Sequence, residues 1–137
     1  MRILAFDLGK RRIGLAVTDP LGYTAQGLDT FERTNIRQDI ALLSALIGDK
    51  EVSLMLFGNP LHMSGHESRQ TEYVKVFATR LSAATGVPYQ LWDERLTSVE
   101  AERVLRQGGL VDRKDRKGMV DKLSAVILLN SYLSSLE

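Results

Sequence analysis

Arg2-Ile3-Leu4-Ala5-Phe6-Asp7-Leu8-Gly9-Lys10-Arg11-Arg12-Ile13-Gly14-Leu15-Ala16-Val17-Thr18 is the stretch on which the fold turns. Arg2 to Leu8 is an almost unbroken apolar run, the pattern of a central strand covered on both faces. Gly9 to Arg12 is a polar turn, and Ile13 to Thr18 is rich in β-formers again. The two runs therefore predict a hairpin with a basic tip. Outward from it, Asp19-Pro20-Leu21-Gly22 signals a turn. Tyr23 to Phe31 predicts a third antiparallel strand, with Gly27 as a bulge.

The period then changes. Ile36, Ile40, Leu43, Leu46 and Ile47 follow helical spacing, with Thr34 or Asn35 to cap the start and Gly48 to end the helix. Val52 to Phe57 reads as a buried strand that stops at Gly58-Asn59-Pro60. Glu67 to Ala84 predicts a helix with Tyr73, Val76, Phe77, Ala78, Leu81 and Ala84 on its apolar side. Tyr89 to Trp92 is a short fifth strand. A helix from Thr97, where Thr97 and Glu100 have capping-box spacing, ends at Gly108-Gly109. A charged loop over 110–117 and a last helix over 118–136 complete the chain. The expected class is α/β, a mixed five-stranded sheet of three antiparallel strands then two parallel ones, with helices on both faces. In such sheets ligands gather at the carboxyl ends of the parallel strands.

The chain has 137 residues, 18 Lys and Arg against 17 Asp and Glu, and no cysteine. That length predicts one domain over 1–137. Lack of cysteine excludes disulfides, thiolate metal sites and a cysteine nucleophile. No apolar run reaches the ~18 residues of a membrane span. The segment from Met1 to Gly9 is too short, and carries Asp7 too early, for a signal peptide. The expected location is the cytoplasm. The net charge of +1 says little about partners, but its distribution says more. Basic residues concentrate in Lys10-Arg11-Arg12 and in Arg113-Lys114-Asp115-Arg116-Lys117. If folding joins these clusters, they make a local positive field for nucleic acid; if not, they are two solvated loops.

Three carboxylates sit where a reason is needed. Asp7 shares a strand face with Ile3 and Ala5, where a charge is costly unless paired or metal-bound. Glu94 follows the fifth strand beside Asp93. Asp121 falls in the predicted first turn of the last helix, on one stripe with Ala125, Leu128 and Tyr132. Each has a plain structural alternative: a carboxylate bonded to its own turn, a loop acid paired with Arg95, and an acid at a helix N-terminus. Together they suggest more. Two strand ends and a helix start can converge, and three clustered acids repel unless a cation neutralises them. Oxygen ligands select Mg²⁺ or Mn²⁺, the ions of phosphodiester hydrolysis.

Asp7-Leu8-Gly9-Lys10-Arg11-Arg12-Ile13-Gly14-Leu15-Ala16 resembles the opening motif of the YqgF (RuvX) family. Asp93-Glu94-Arg95-Leu96-Thr97-Ser98 with Glu100-Ala101, and Lys117-Gly118-Met119-Val120-Asp121-Lys122-Leu123-Ser124-Ala125, resemble its two more specific motifs. The resemblance spans nearly the whole chain. It implies an RNase H-like fold and a nuclease, described both as a Holliday-junction resolvase homologue and as a factor maturing the 5′ end of 16S ribosomal RNA. Family catalytic acids carry over to Asp7, Glu94 and Asp121, with Asp93 as an auxiliary. The loop Gly58-Asn59-Pro60-Leu61-His62-Met63-Ser64-Gly65-His66 departs from the family pattern, with an acid lost and two histidines gained.

The reading is thus a metal-dependent endonuclease on structured RNA. Asp7, Glu94 and Asp121 are expected to hold Mg²⁺ or Mn²⁺. Lys10, Arg11, Arg12, Arg113, Lys114, Arg116 and Lys117 are expected to position the nucleic-acid backbone, with Asn59 and His62 as further auxiliaries. One rival is a resolvase of branched DNA, which needs two sites and hence a symmetric dimer, whereas an RNA nuclease can act as a monomer. The others are an ATP-dependent phosphotransferase and a nucleic-acid-binding factor with a vestigial site. No membrane partner is expected.

Overall fold

A computed structural model describes residues 1–59, 69–93 and 113–136, with side chains in the last stretch from residue 121 onward. The chain runs β1 (Ile3–Leu8), β2 (Arg12–Thr18), β3 (Ala25–Gly27), β4 (Phe31–Glu32), α1 (Ile36–Asp49), β5 (Leu54–Asn59), α2 (Arg69–Thr85), β6 (Tyr89–Asp93) and α3 (Arg113–Ser135). The sheet order is β3-β2-β1-β5-β6, and β4 also pairs with β2. β2 runs antiparallel to β1, while β5 and β6 run parallel to it and to each other. The α/β class and mixed sheet are those the apolar runs predict, and the basic-tipped hairpin is present.

Strand alternation sorts the core into two layers. Leu4, Phe6, Ile13, Leu15, Val17, Met55 and Phe57 face α1 and α2. Ile3, Ala5, Ala16 and Leu56 face α3, against Ala125, Leu128, Leu129 and Tyr132. Phe57 anchors the first layer. Its ring stacks on Phe6 at 4.4 Å and meets Phe77 and Tyr89 edge-on at 6.3 and 6.2 Å. Truncating such a ring costs about 3–5 kcal/mol.

Four sequence expectations need correction. The third strand is not continuous over 23–31: β3 and β4 pair with β2 separately. Gly27 ends β3 because α3 crosses there; a Cβ on it would lie 2.8 Å from Cε of Lys122 and 3.2 Å from Cγ2 of Val126. Next, α1 does not stop at Gly48. Asn35 caps its start by accepting from the Gln38 N–H at 2.9 Å. At its end the left-handed residue is Glu51, φ 54°, with Glu51 N–H on Gly48 O at 3.2 Å and Val52 N–H on Ile47 O at 3.1 Å. This paired closure normally employs glycine at that position.

The buried side of α2 is Thr71, Val74, Phe77, Ala78 and Leu81, while Tyr73, Val76 and Ala84 are exposed. Several phases of the 3.6-residue period fit an alanine-rich helix, and burial selects among them. Finally, α3 begins at Arg113 rather than Gly118. Arg113, Lys114, Arg116 and Lys117 are therefore on helical backbone, not in a loop. Arg and Lys are strong helix formers, and one glycine costs only about 1 kcal/mol in a helix. The predicted helix from Thr97 lies outside the described residues.

Candidate active site

The carboxyl ends of the parallel strands β1, β5 and β6 are at Leu8, Asn59 and Asp93. Asp7, one residue before the end of β1, is half-buried. By alternation it faces α3, with Ile3 and Ala5. Its cross-strand partner is Gly14, and directly opposed residues of an antiparallel pair present their side chains to one face. Over Gly14 lies α3 itself: a Cβ there would fall 2.0 Å from the backbone oxygen of Asp121 and 3.3 Å from its Cα. Only a residue without a side chain lets the helix approach so closely. Asp7 and Asp121, from opposite ends of the chain, are thus brought to one face around a single glycine.

Asp121 is eight residues into α3, beyond its first turn. The explanation by a helix N-terminus, which fades within one turn, therefore does not apply. Instead Nε of Arg12 donates to Oδ2 of Asp121 at 3.0 Å, with both side chains a little over one-quarter exposed. Arg12, expected on nucleic acid, lies on a carboxylate.

The turn after Asp7 is held tightly. The Gly9 N–H donates to Arg12 O at 2.9 Å. A residue the sequence reading passed over, Arg33, clamps the same turn from outside. Its backbone N–H donates to Arg11 O at 2.9 Å, and its Nη1 to Gly9 O at 2.9 Å and also to Tyr73 Oη. Its Nε donates to Oδ2 of Asp39 at 3.1 Å. This pair is buried, with side chains 8% and 1% exposed. Burial works against the charge of Arg33, but the bonds to Tyr73 and Asp39 outweigh it and raise its pKa. Asp39 was findable: it interrupts the stripe Ile36, Ile40, Leu43, Ile47, where a carboxylate demands a partner.

The other expected residues are dispersed. Asn59 and Asp93 are register partners on the α1–α2 face, opposite to Asp7. Oδ1 of Asn59 accepts from Oγ1 of Thr71 at 3.1 Å. Lys10 and Arg11 are exposed at the hairpin tip. Glu94 and His62 lie outside the described residues. Among the described residues no group of three or more His, Asp or Glu could hold a metal ion. What they provide is two carboxylates on one face, hard oxygen donors of the kind that suits Mg²⁺ or Mn²⁺.

The family profile described as "RuvX: Holliday junction resolvase" matches residues 1–135. The chain belongs to the RuvX family. Among its curated relatives, a protein of Koribacter versatilis (strain Ellin345) is 50% identical over 132 residues, 96% of this chain and 86% of the relative. One of Syntrophus aciditrophicus (strain SB) is 45% identical over 99% of this chain and 90% of its own length. Both are named "Putative pre-16S rRNA nuclease". Among solved structures, T. thermophilus RuvC in complex with a Holliday junction substrate superposes with TM-score 0.60 at 14% identity, covering 99% and 96% of the two chains. The Fowlpox virus resolvase, also with junction DNA, gives 0.60 at 12%, covering 99% of each. At such identities they establish the shared RuvC-like fold of this RuvX chain. RuvX is a nuclease family, so the chain is read as an enzyme of that class. Among the described residues no helix is long and apolar enough to cross a membrane.

Proposed function

We propose that the protein is a divalent-metal-dependent endonuclease that matures the 5′ end of pre-16S ribosomal RNA in the cytoplasm, with residues 1–137 forming one catalytic domain. The observation that carries this reading is the seating of Asp121 over Gly14, which sets it beside Asp7 on one face. The names of the curated relatives supply the substrate.

In this reading Asp7, Asp121 and Glu94, the residue that follows β6, hold Mg²⁺ or Mn²⁺. When bound, the ion lowers the pKa of water and steadies the leaving oxygen. The water oxygen bonds to phosphorus as the bond to the ribose oxygen breaks, and that oxygen takes up a proton. Asp7 and Asp121 supply ligand oxygens held by backbone they do not control: a strand between two neighbours, and a helix pinned on Gly14. Lys10 and Arg11 at the hairpin tip, with Arg113, Lys114, Arg116 and Lys117 at the start of α3, hold flanking phosphates. The Arg12–Asp121 pair does not forbid this. A partly exposed ion pair contributes about 0–1 kcal/mol, little against a divalent ion on two or three carboxylates. Asp93, Asn59 and His62 are auxiliaries.

A second reading is favoured by the superposed resolvases: cleavage of a four-way DNA junction, which needs a symmetric dimer. Purified protein is incubated with precursor rRNA or a junction, with and without Mg²⁺, beside Asp7→Asn, and its mass is read by sedimentation. Mg²⁺-dependent cleavage of the RNA that Asp7→Asn abolishes supports the proposal. Cleavage of the junction alone, by a dimer, supports the second reading, and unchanged cleavage by Asp7→Asn overturns both.

A further inference from the structure

Beside the hairpin tip, on the α1–α2 side of the sheet, two cavities share a wall. One, of about 520 Å³, runs from Leu8, Gly9 and Lys10 to Arg69, Gln70 and Tyr73. The other, of about 430 Å³, lies between Lys10 and Arg11 on one side and Arg33, Asn35 and Tyr73 on the other. Lys10 and Tyr73 line both. The volume of the first is that of a small-ligand pocket. Its cations are exposed side chains: Lys10, Arg69 and, next door, Arg11. Glu32 is the exposed acid in the second cavity, whereas Asp39 there is consumed by Arg33.

Tyr73 is the unusual element. It sits on the outer side of α2, 41% exposed. It is nevertheless held: its hydroxyl accepts from Arg33, and the guanidinium carbon of Arg33 lies 5.6 Å from its ring centroid. An exposed aromatic ring fixed by a buried ion pair, with cations lining the same cavities, is a platform for a flat group attached to a polyanion. Bases of unpaired strands stack on such rings, while those of a duplex are already stacked on each other.

The geometry points to a groove for single-stranded nucleic acid, in which an unpaired base stacks on Tyr73 and its flanking phosphates lie against Lys10 and Arg69. This rests on the nuclease reading and narrows its substrate class: the groove opens at Leu8 to Lys10, at the carboxyl end of β1, and a strand held there passes over that end of the sheet to reach the acids on the α3 face. The enzyme takes an unpaired strand rather than a continuous duplex.

The test uses the full chain in EDTA, where no cleavage occurs. Fluorescence anisotropy measures binding of a short unstructured RNA oligonucleotide, its duplex, and an equally charged abasic strand. The intact strand binds more tightly than the other two. Tyr73→Leu weakens it about tenfold, the loss of one base–aromatic stack, whereas Tyr73→Phe, which keeps the ring and loses only the bond from Arg33, weakens it less. Arg69→Gln lowers the salt slope of single-strand binding by about 0.7. Circular dichroism checks that each variant is folded. Equal affinity for strand and duplex, or parental affinity in a folded Tyr73→Leu, overturns the groove. Because binding is read without metal, it separates from the cleavage assay: if the strand binds as stated but Asp7→Asn still cuts, the groove stands and the catalytic reading falls.

Discussion

Arg12 and Asp121 are joined across the β2–α3 contact by a 3.0 Å bond from Nε to Oδ2. Arg12 therefore cannot serve a phosphate while it holds Asp121, and Asp121 cannot give both oxygens to an ion while it holds Arg12. Arg12→Gln should tighten Mn²⁺ binding to the nucleic-acid-free protein by up to about fivefold, the worth of a partly exposed ion pair. Calorimetric titration with Mn²⁺ measures the effect. An unchanged or weaker metal affinity would show that the two cations do not compete.

Gly14 governs how close α3 comes. A methyl group 2.0 Å from the Asp121 backbone oxygen cannot be absorbed by a side-chain rotation. Gly14→Ala should cost about 3 kcal/mol of stability and lower metal affinity even in the fraction that folds. Urea unfolding and Mn²⁺ titration check the two effects separately.

Asp39 and Arg33 form a buried pair in which neither partner tolerates loss of the other. Asp39→Ala leaves the guanidinium unpaired and should destabilise the protein by about 3–5 kcal/mol. Because Arg33 also holds Gly9 O, amide exchange at Gly9 to Arg12 should rise by more than global unfolding accounts for.

Asp19 closes the turn after β2, accepting from the N–H groups of Thr24 and Tyr23 at 2.7 Å and of Leu21 at 3.3 Å. These bonds, that from Thr24 first, lower its pKa below the ordinary 3.8. A carboxylate that releases its proton more readily when folded lends its full stabilisation above the ordinary value. It loses that share as pH falls through the lower, folded value. Carboxyl NMR should place Asp19 below its ordinary value of 3.8, and Asp19→Asn should flatten the acid limb of the stability profile.

Glu51 occupies the left-handed position that closes α1. Glu51→Gly should stabilise the protein by about 1 kcal/mol, seen as a raised Tm without change in metal binding.

The sheet was legible because apolar runs and their alternation report burial directly. The break between β3 and β4 was not, since it depends on where Lys122 and Val126 of a distant helix cross Gly27. The start of α3 was obscured by Gly118, a breaker on average that the helix-forming Arg113, Lys114, Arg116 and Lys117 before it override. Asp7 and Asp121 announced themselves as acids on apolar faces; Asp39 carried the same signal and was missed, although its partner Arg33 lies only one helix cap away. Tyr73 misled, because an aromatic at helical spacing reads as core until its own face is seen to point outward.

The contact between Gly14 and Asp121 also sets a schedule. A nascent polypeptide that has left the ribosome only as far as β6 has its strands but lacks the second acid, which arrives with α3. If those acids do the cutting, no copy that still lacks α3 can attack RNA; competence waits for that helix to emerge and dock.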